Sequence, residues 1–306
     1  MAKQLRETIA EITKLHLKKY KSFVFGQNLT GVGWVDNTLP KMFEKDGVIE
    51  LPMADVAGGG IVTGSGLVGK RPFYIIRYQG YNWFNCIFIV NYACKSKEIW
   101  KIPCPLFIRG ISSEGSIGPV AGSSHVSIFY KMPGIKIFSP MTNLEYKKIY
   151  KIFLNQDDVF YLSEHRKSFS NKKEFKNDIK NNLDIILMPI SITRFEAEEA
   201  KKNLERKKIK VGIIHVVNLK PFTLSRKSIA AIKSSKYGVL MTDNDYKDGI
   251  LRIIAHKINE KTRKPVNVLG LKDVTAGHHP KMDNLPPNKN QIFNECIKII
   301  KDYNKL

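Results

Sequence analysis

The sequence is short of several things. It has no apolar run of about 18 residues, the least a membrane-crossing helix needs; its longest apolar stretches, such as Ile185–Met188 and Val211–Val217, are strand-sized. Cysteine is scarce. Cys86, Cys94, Cys104 and Cys296 have neither the CxxC spacing of a metal site nor the density of a disulfide scaffold. The N-terminal stretch has apolar residues at helical spacing (Leu5, Ile9, Ile12, Leu15) and lacks the apolar block of a secretory signal. Together these features predict a cytoplasmic protein. Acidic residues are also few, 28 against 50 basic, which gives a formal charge of +22. Only ten of the basic residues are arginine, and the lysines are scattered, often in pairs such as Lys147-Lys148 and Lys207-Lys208. No helix-turn-helix, zinc-finger or aromatic RNA-binding motif accompanies them, so specific nucleic-acid binding is not predicted. Solvated lysine-rich faces are the expected reading.

What remains is globular composition, 43% hydrophobic and 25% charged, over a length suited to two domains. The first block has strand-like runs at Phe23–Phe25, Phe73–Ile76, Leu106–Ile108, Ile135–Phe138 and Val159–Leu162, with helical stretches at Trp83–Tyr92 and Asn143–Leu154. The second reads as strand Asp184–Met188, helix Arg194–Lys207, strand Val211–Val217, helix Ser225–Ser234, strand Tyr237–Thr242, helix Gly249–Glu260, strand Val266–Leu271 and helix Gln291–Tyr303. Alternation of this kind predicts two three-layer α/β domains with mainly parallel sheets. The expected boundaries are 1–167 and 183–306, joined by a polar linker over 168–182.

The informative segment is LPMADVAGGGIVTG, Leu51–Gly64, in which one acid precedes a glycine run that opens a helix. By itself this spacing is also that of a helix cap, with Asp55 accepting backbone hydrogen bonds and Gly58–Gly60 allowing close packing. His215 lies within an apolar run and reads as a satisfied core group. His278 and His279 adjoin Pro280 in an expected turn, where two neighbouring side chains diverge too far to share a metal. No metal-ligating group is predicted in this chain.

The ordered set of motifs resembles the beta subunits of the first components of thiamine-diphosphate-dependent 2-oxo acid dehydrogenases, within the transketolase superfamily. The set comprises SFVFGQNLTGVGW, LPMADVAGGG, the aromatic strand FYIIRYQGYNWF, NYACK, CPLFIRG, His125 followed by MPGIKIFSP, then VVNLKPF, MTDNDYKDGI and DVTAGHHP. The resemblance implies a transketolase-type pyrimidine-binding domain followed by a transketolase C-terminal domain. It places Asp55 and Gly58 at the cofactor's aminopyrimidine ring and Tyr81 as the aromatic stacked on that ring. His125 is placed near the substrate as a proton-transfer group. Asp55 stands where the family has glutamate, Gln27 and Asn28 where it has an acidic pair, and Ile75 and Ile87 where many members carry acids. Only eight residues separate His125 from Gly134, fewer than in typical members.

The family's diphosphate and magnesium site uses Gly-Asp-Gly, and this chain has none; its nearest strings are Lys45-Asp46-Gly47 and Lys247-Asp248-Gly249. The resemblance therefore implies an alpha-type partner that holds the diphosphate and magnesium, in an α2β2 assembly without which the chain is inactive. The expected reaction is decarboxylation of a 2-oxo acid with acyl transfer to a lipoyl acceptor, a lipoyl acyltransferase being a possible further partner. Two alternatives stay open. One is carboligation or transketolase-like transfer of a two-carbon unit to an aldehyde or sugar ketone. The other is an assembly subunit with reduced or lost catalysis.

Overall fold

A computed structural model describes residues 2–115, 118–277 and 284–305. The chain forms two compact units, one running through Glu174 with Leu219–Pro221, the other formed by Phe175–Asn218 and the chain from Phe222 onward.

In the first unit, helix α1 (Leu5–Tyr20) buries Leu5, Ile9, Ile12 and His16 on one face. Leu15, expected on that face, is exposed, because the buried stripe steps from Ile12 to His16, four residues on. Then follow β1 (Val24–Gln27), β2 (Val48–Leu51), α2 (Asp55–Leu67) and β3 (Phe73–Ile76). Helix α3 (Asn82–Phe88) runs through a π turn, Ile89–Ala93, into α4 (Cys94–Ile99), and then come β4 (Leu106–Ser112), β5 (Ile135–Phe138), α5 (Asn143–Leu154) and β6 (Val159–His165). The single helix expected over Trp83–Tyr92 is thus broken in two, α3 giving way to the π turn at Ile89, where one extra residue resets the register. Helix α5 begins where Thr142 accepts a hydrogen bond from the Glu145 backbone N–H, a cap worth about 1 kcal/mol.

The strands pair in the order β2-β1-β3-β4-β6-β5, all parallel. β1 leads to β2 on one side, and the chain then returns to lay β3 on the other. The gap beyond the carboxyl ends of β1 and β3 is therefore a topological switch point, where open α/β sheets bind ligands. The core beneath is aromatic: Phe73 stacks on Phe107 with ring centroids 4.6 Å apart and on His16 at 4.3 Å. Arg109 and Glu164 are buried in this unit, joined by two 2.8 Å hydrogen bonds.

The second unit contains β7 (Ile185–Pro189), α6 (Thr193–Arg206), β8 (Val211–Ile213), α7 (Arg226–Ser234), β10 (Val239–Tyr246), α8 (Ile250–Thr262), β11 (Val266–Leu271) and α9 (Lys289–Tyr303). Its sheet runs β11-β10-β7-β8, again parallel. Ala197, Ala200 and Leu204 of α6 close on Ile185, Leu187, Ile292 and Cys296. The run Val211–Val217 is not one strand. It ends at Ile213, and a separate β9 (Asn218–Lys220) extends the first unit's sheet beside β5. His215 lies between these strands, bonded through Nε2 to Glu198 at 2.9 Å and stacked on Phe175. The polar stretch 168–182 is partly built in: Ser168 and Phe169 are buried, and Asp178 bridges antiparallel to Ile213. His278 and His279 lie outside the described residues.

Candidate active site at the β1–β3 switch point

A cavity of about 100 Å³ opens beyond the carboxyl ends of β1 and β3, lined by Gln27, Asn28, Asp55, Ile75, Arg77 and Tyr81 among others. Asp55 is the first residue of α2 and is half-buried. Its Oδ1 accepts a 3.2 Å hydrogen bond from Nδ2 of Asn85, one turn into α3. The same Nδ2 donates to the Tyr81 carbonyl at 2.9 Å, and the Tyr74 hydroxyl donates to the Asn85 Oδ1. Asn85 is 1% exposed, so this amide is a fixed support rather than a mobile surface group. Close helix packing permits it. A Cβ on Gly59 would lie 3.0 Å from the Asn85 carbonyl oxygen.

Gly58 does not line the cavity. A Cβ there would lie 2.8 Å from the Tyr74 hydroxyl, so this glycine makes room for the group that anchors Asn85. Burial, with the Asp55 charge adding to it, pushes the Tyr74 phenol far up, which keeps it a neutral donor. Tyr81 lines the cavity with its ring 6.0 Å from that of Tyr78. Of the replaced acids, Gln27, Asn28 and Ile75 line the cavity, whereas Ile87 is exposed on α3.

His125 is not among the lining residues and is held by its own loop and by Gln79. Its backbone N–H donates to Gln79 Oε1 at 2.9 Å, and its Nε2 meets the Gly122 carbonyl at 3.3 Å and the Ser123 hydroxyl at 3.2 Å. Gln79 is fully buried; it donates in turn to the Gly110 carbonyl and the Ser163 hydroxyl. The short span before Gly134 holds a single helical turn, Ser127–Tyr130. Burial lowers the His125 pKa, opposed by the Gly122 carbonyl and the charge of Glu114. A neutral imidazole with Nε2–H on a carbonyl leaves Nδ1 as the basic nitrogen. Glu114 also accepts from His165 Nε2 at 2.5 Å, while His165 Nδ1 accepts from the Lys167 N–H.

Sequence reasoning missed Asn85, Tyr74 and Gln79. The one signal for Asn85 is its place four residues after Tyr81, on the same helical face. The arrangement offers a supported carboxylate, an aromatic face and a largely apolar wall. Those features suit an aromatic nitrogen heterocycle that takes up and releases a proton, and the aminopyrimidine of thiamine diphosphate has that chemistry.

The transketolase pyrimidine-binding domain family matches residues 2–171, and the transketolase C-terminal domain family matches residues 177–292. The 2-oxoisovalerate dehydrogenase subunit beta of Bacillus subtilis is 26% identical over 260 residues, covering 78% of each chain. A pyruvate dehydrogenase E1 component subunit beta of Staphylococcus epidermidis is 23% identical over 274 residues, 83% of this chain and 84% of its own. Among solved structures, one titled as a split-gene transketolase, inactive beta4 tetramer, superposes with a TM-score of 0.78 at 16% identity, covering 98% of this chain and 99% of its own. Campylobacter jejuni transketolase gives 0.68 at 14% identity, with this chain spanning 46% of it. The chain belongs to the transketolase family, with the two-domain layout and sequence kinship of the beta subunits of 2-oxo acid dehydrogenase first components.

Proposed function

We propose that this chain is the beta-type half of a two-chain, thiamine-diphosphate-dependent enzyme that decarboxylates a 2-oxo acid and passes the acyl unit to a lipoyl acceptor. The observation that carries the reading is the Asp55 carboxylate, held by Asn85 at the mouth of a cavity on the switch point. Thiamine diphosphate, when bound, supplies the electron sink for the carbanion chemistry. Asp55 hydrogen-bonds the aminopyrimidine ring and biases its protonation, and Asn85 fixes the direction of that carboxylate. Tyr81 offers a face for stacking. The close packing of α2 on α3 through Gly59 brings the shorter aspartate within reach of its support. His125, neutral near pH 7, accepts a proton at Nδ1 from the substrate side.

The partner is an alpha-type chain holding the diphosphate and magnesium, in an α2β2 assembly. Exposed apolar side chains support this: Met53 is 82% exposed, Val68 78% and Trp83 62%, and Val56 and Ile61 of α2 are exposed too. Met53 also lines the Asp55 cavity, and exposed apolar side chains at a cofactor site suit a protein partner. The solved neighbour whose title calls a beta-only tetramer inactive points the same way. A second reading, transfer of a two-carbon unit to an aldehyde or sugar ketone, draws on Gln27, Asn28 and Ile75 lining the cavity in place of acids. The test is co-expression with an alpha-type chain bearing Gly-Asp-Gly, followed by calorimetric titration with thiamine diphosphate and magnesium. Saturable binding by the complex, and none by this chain alone, is expected. A complex that binds no cofactor refutes the proposal.

A further inference from the structure

Among the described residues lining the Asp55 cavity, Arg77 is the one cation. It stands just past the end of β3 and also lines a neighbouring space of about 30 Å³ with Val35, Asp36, Ser113 and Arg166. Its Nη2 donates to the Tyr78 hydroxyl at 2.9 Å, its Nη1 approaches the Asn28 carbonyl at 3.5 Å, and its Cζ lies 4.9 Å from the Tyr78 ring centroid. Both acceptors are uncharged. Asp36, the acid sharing the smaller space, is taken by Arg166 at 2.6 Å. Asp55 and Arg77 line one cavity, but among the described residues no ion pair joins them. A half-buried guanidinium steadied by a tyrosine, with no carboxylate partner among the described residues, is a planar fork ready for an anion.

From this we infer, building on the functional reading above, that the substrate handled at the Asp55 site carries an anionic group that survives the reaction, and that Arg77 binds it. The group cannot be the carboxylate lost as carbon dioxide. That carboxylate sheds its charge on the way to the transition state, so an arginine on it would stabilise the ground state more and slow the step. Arg77 suits a charge that persists, either a second carboxylate or a phosphate.

Two arms test this. In the first, the full chain is titrated with inorganic phosphate while its arginine Nε–H resonances are followed by NMR. A saturable shift is expected in wild type, with binding about tenfold weaker in Arg77→Gln. Arg252→Gln, which breaks an exposed pair with Asp248, should leave binding unchanged. Phosphate affinity in Arg77→Gln equal to wild type overturns the inference. In the second arm, the complex with its alpha-type partner is assayed on matched pairs: 2-oxobutyrate against 2-oxoglutarate, and fructose against fructose 6-phosphate. A preference for one charged member identifies the anion. Arg77→Gln should erase that preference; a preference that persists in the variant, or none in wild type, also overturns the inference. A complex that binds no cofactor at all instead refutes the functional reading, and the phosphate titration still decides for Arg77.

Discussion

Asn85 holds Asp55: one amide N–H group on α3 donates at 3.2 Å to the carboxylate that opens α2. If this contact aims the carboxylate, removing it should misplace the acid without unfolding the chain. Asn85→Ala in the complex is expected to lower kcat on the order of tenfold to a hundredfold, the penalty of a displacement of about 1 Å. Asn85→Asp should do something different. A second carboxylate beside Asp55 disfavours its charged form, so the acidic limb of the pH–rate profile should move to higher pH. An acidic limb unmoved in Asn85→Asp, with kcat intact in Asn85→Ala, would remove Asn85 from the site.

Gly58 and Gly64 lie on the same helix, yet opposite outcomes are expected from them. A methyl group at Gly58 meets the Tyr74 hydroxyl at 2.8 Å and Leu51 at 3.4 Å, whereas one at Gly64 meets nothing within 4 Å. Gly58→Ala should therefore destabilise the chain by about 1–3 kcal/mol and disturb the Tyr74–Asn85 support. Gly64→Ala should stabilise it by up to about 1 kcal/mol through helix propensity. Urea unfolding of the two variants measures both, and a Gly58→Ala protein as stable as Gly64→Ala would contradict the packing described.

The sequence was most legible where local chemistry and fold agree. The runs Phe73–Ile76, Ile135–Phe138 and Val266–Leu271 are strands over those residues, and Asn143–Leu154 is a helix over its full expected span. Each is bounded by polar, glycine or proline signals that act locally. Val211–Val217 was misread because an apolar run says a segment is buried but not which sheet buries it. Asp55 stood out because an acid before a glycine run is unusual. Asn85, 30 residues away, is an ordinary helical amide until α2 and α3 pack together. Arg77 was equally silent, since its meaning lies in the absence of a paired acid among the described residues.

The Arg109–Glu164 pair supports the sheet beneath the site. Both side chains are almost fully buried, and Glu164 also accepts from the Tyr146 hydroxyl at 2.9 Å while Arg109 donates to Thr38 at 3.0 Å. Removing one partner strands the other's charge. Arg109→Met is expected to cost about 3–5 kcal/mol, and the double variant Arg109→Met, Glu164→Leu to recover much of that loss. Denaturant midpoints of the three proteins decide it; additive losses in the double variant would mean the two groups act independently.

His16 gives the fold a defined acid sensitivity. Its Nε2–H donates to the Arg71 carbonyl at 2.7 Å, the Tyr150 hydroxyl meets its Nδ1 at 3.1 Å, and its ring stacks on Phe73. Burial, opposed by the Arg71 carbonyl and aided by the Arg71 charge, lowers its pKa to about 4. In the unfolded chain the group titrates near 6.5. Between those values the unfolded state binds the extra proton, so stability should be full above about pH 6.5 and fall as pH drops toward 4. The loss attributable to His16 is on the order of 3 kcal/mol across that window. Urea midpoints at pH 7.0, 5.5 and 4.5 for wild type and His16→Gln measure it. The variant begins less stable because the glutamine cannot reproduce the ring stack, but its slope against pH should be shallower. Parallel slopes would show that the acid sensitivity arises elsewhere.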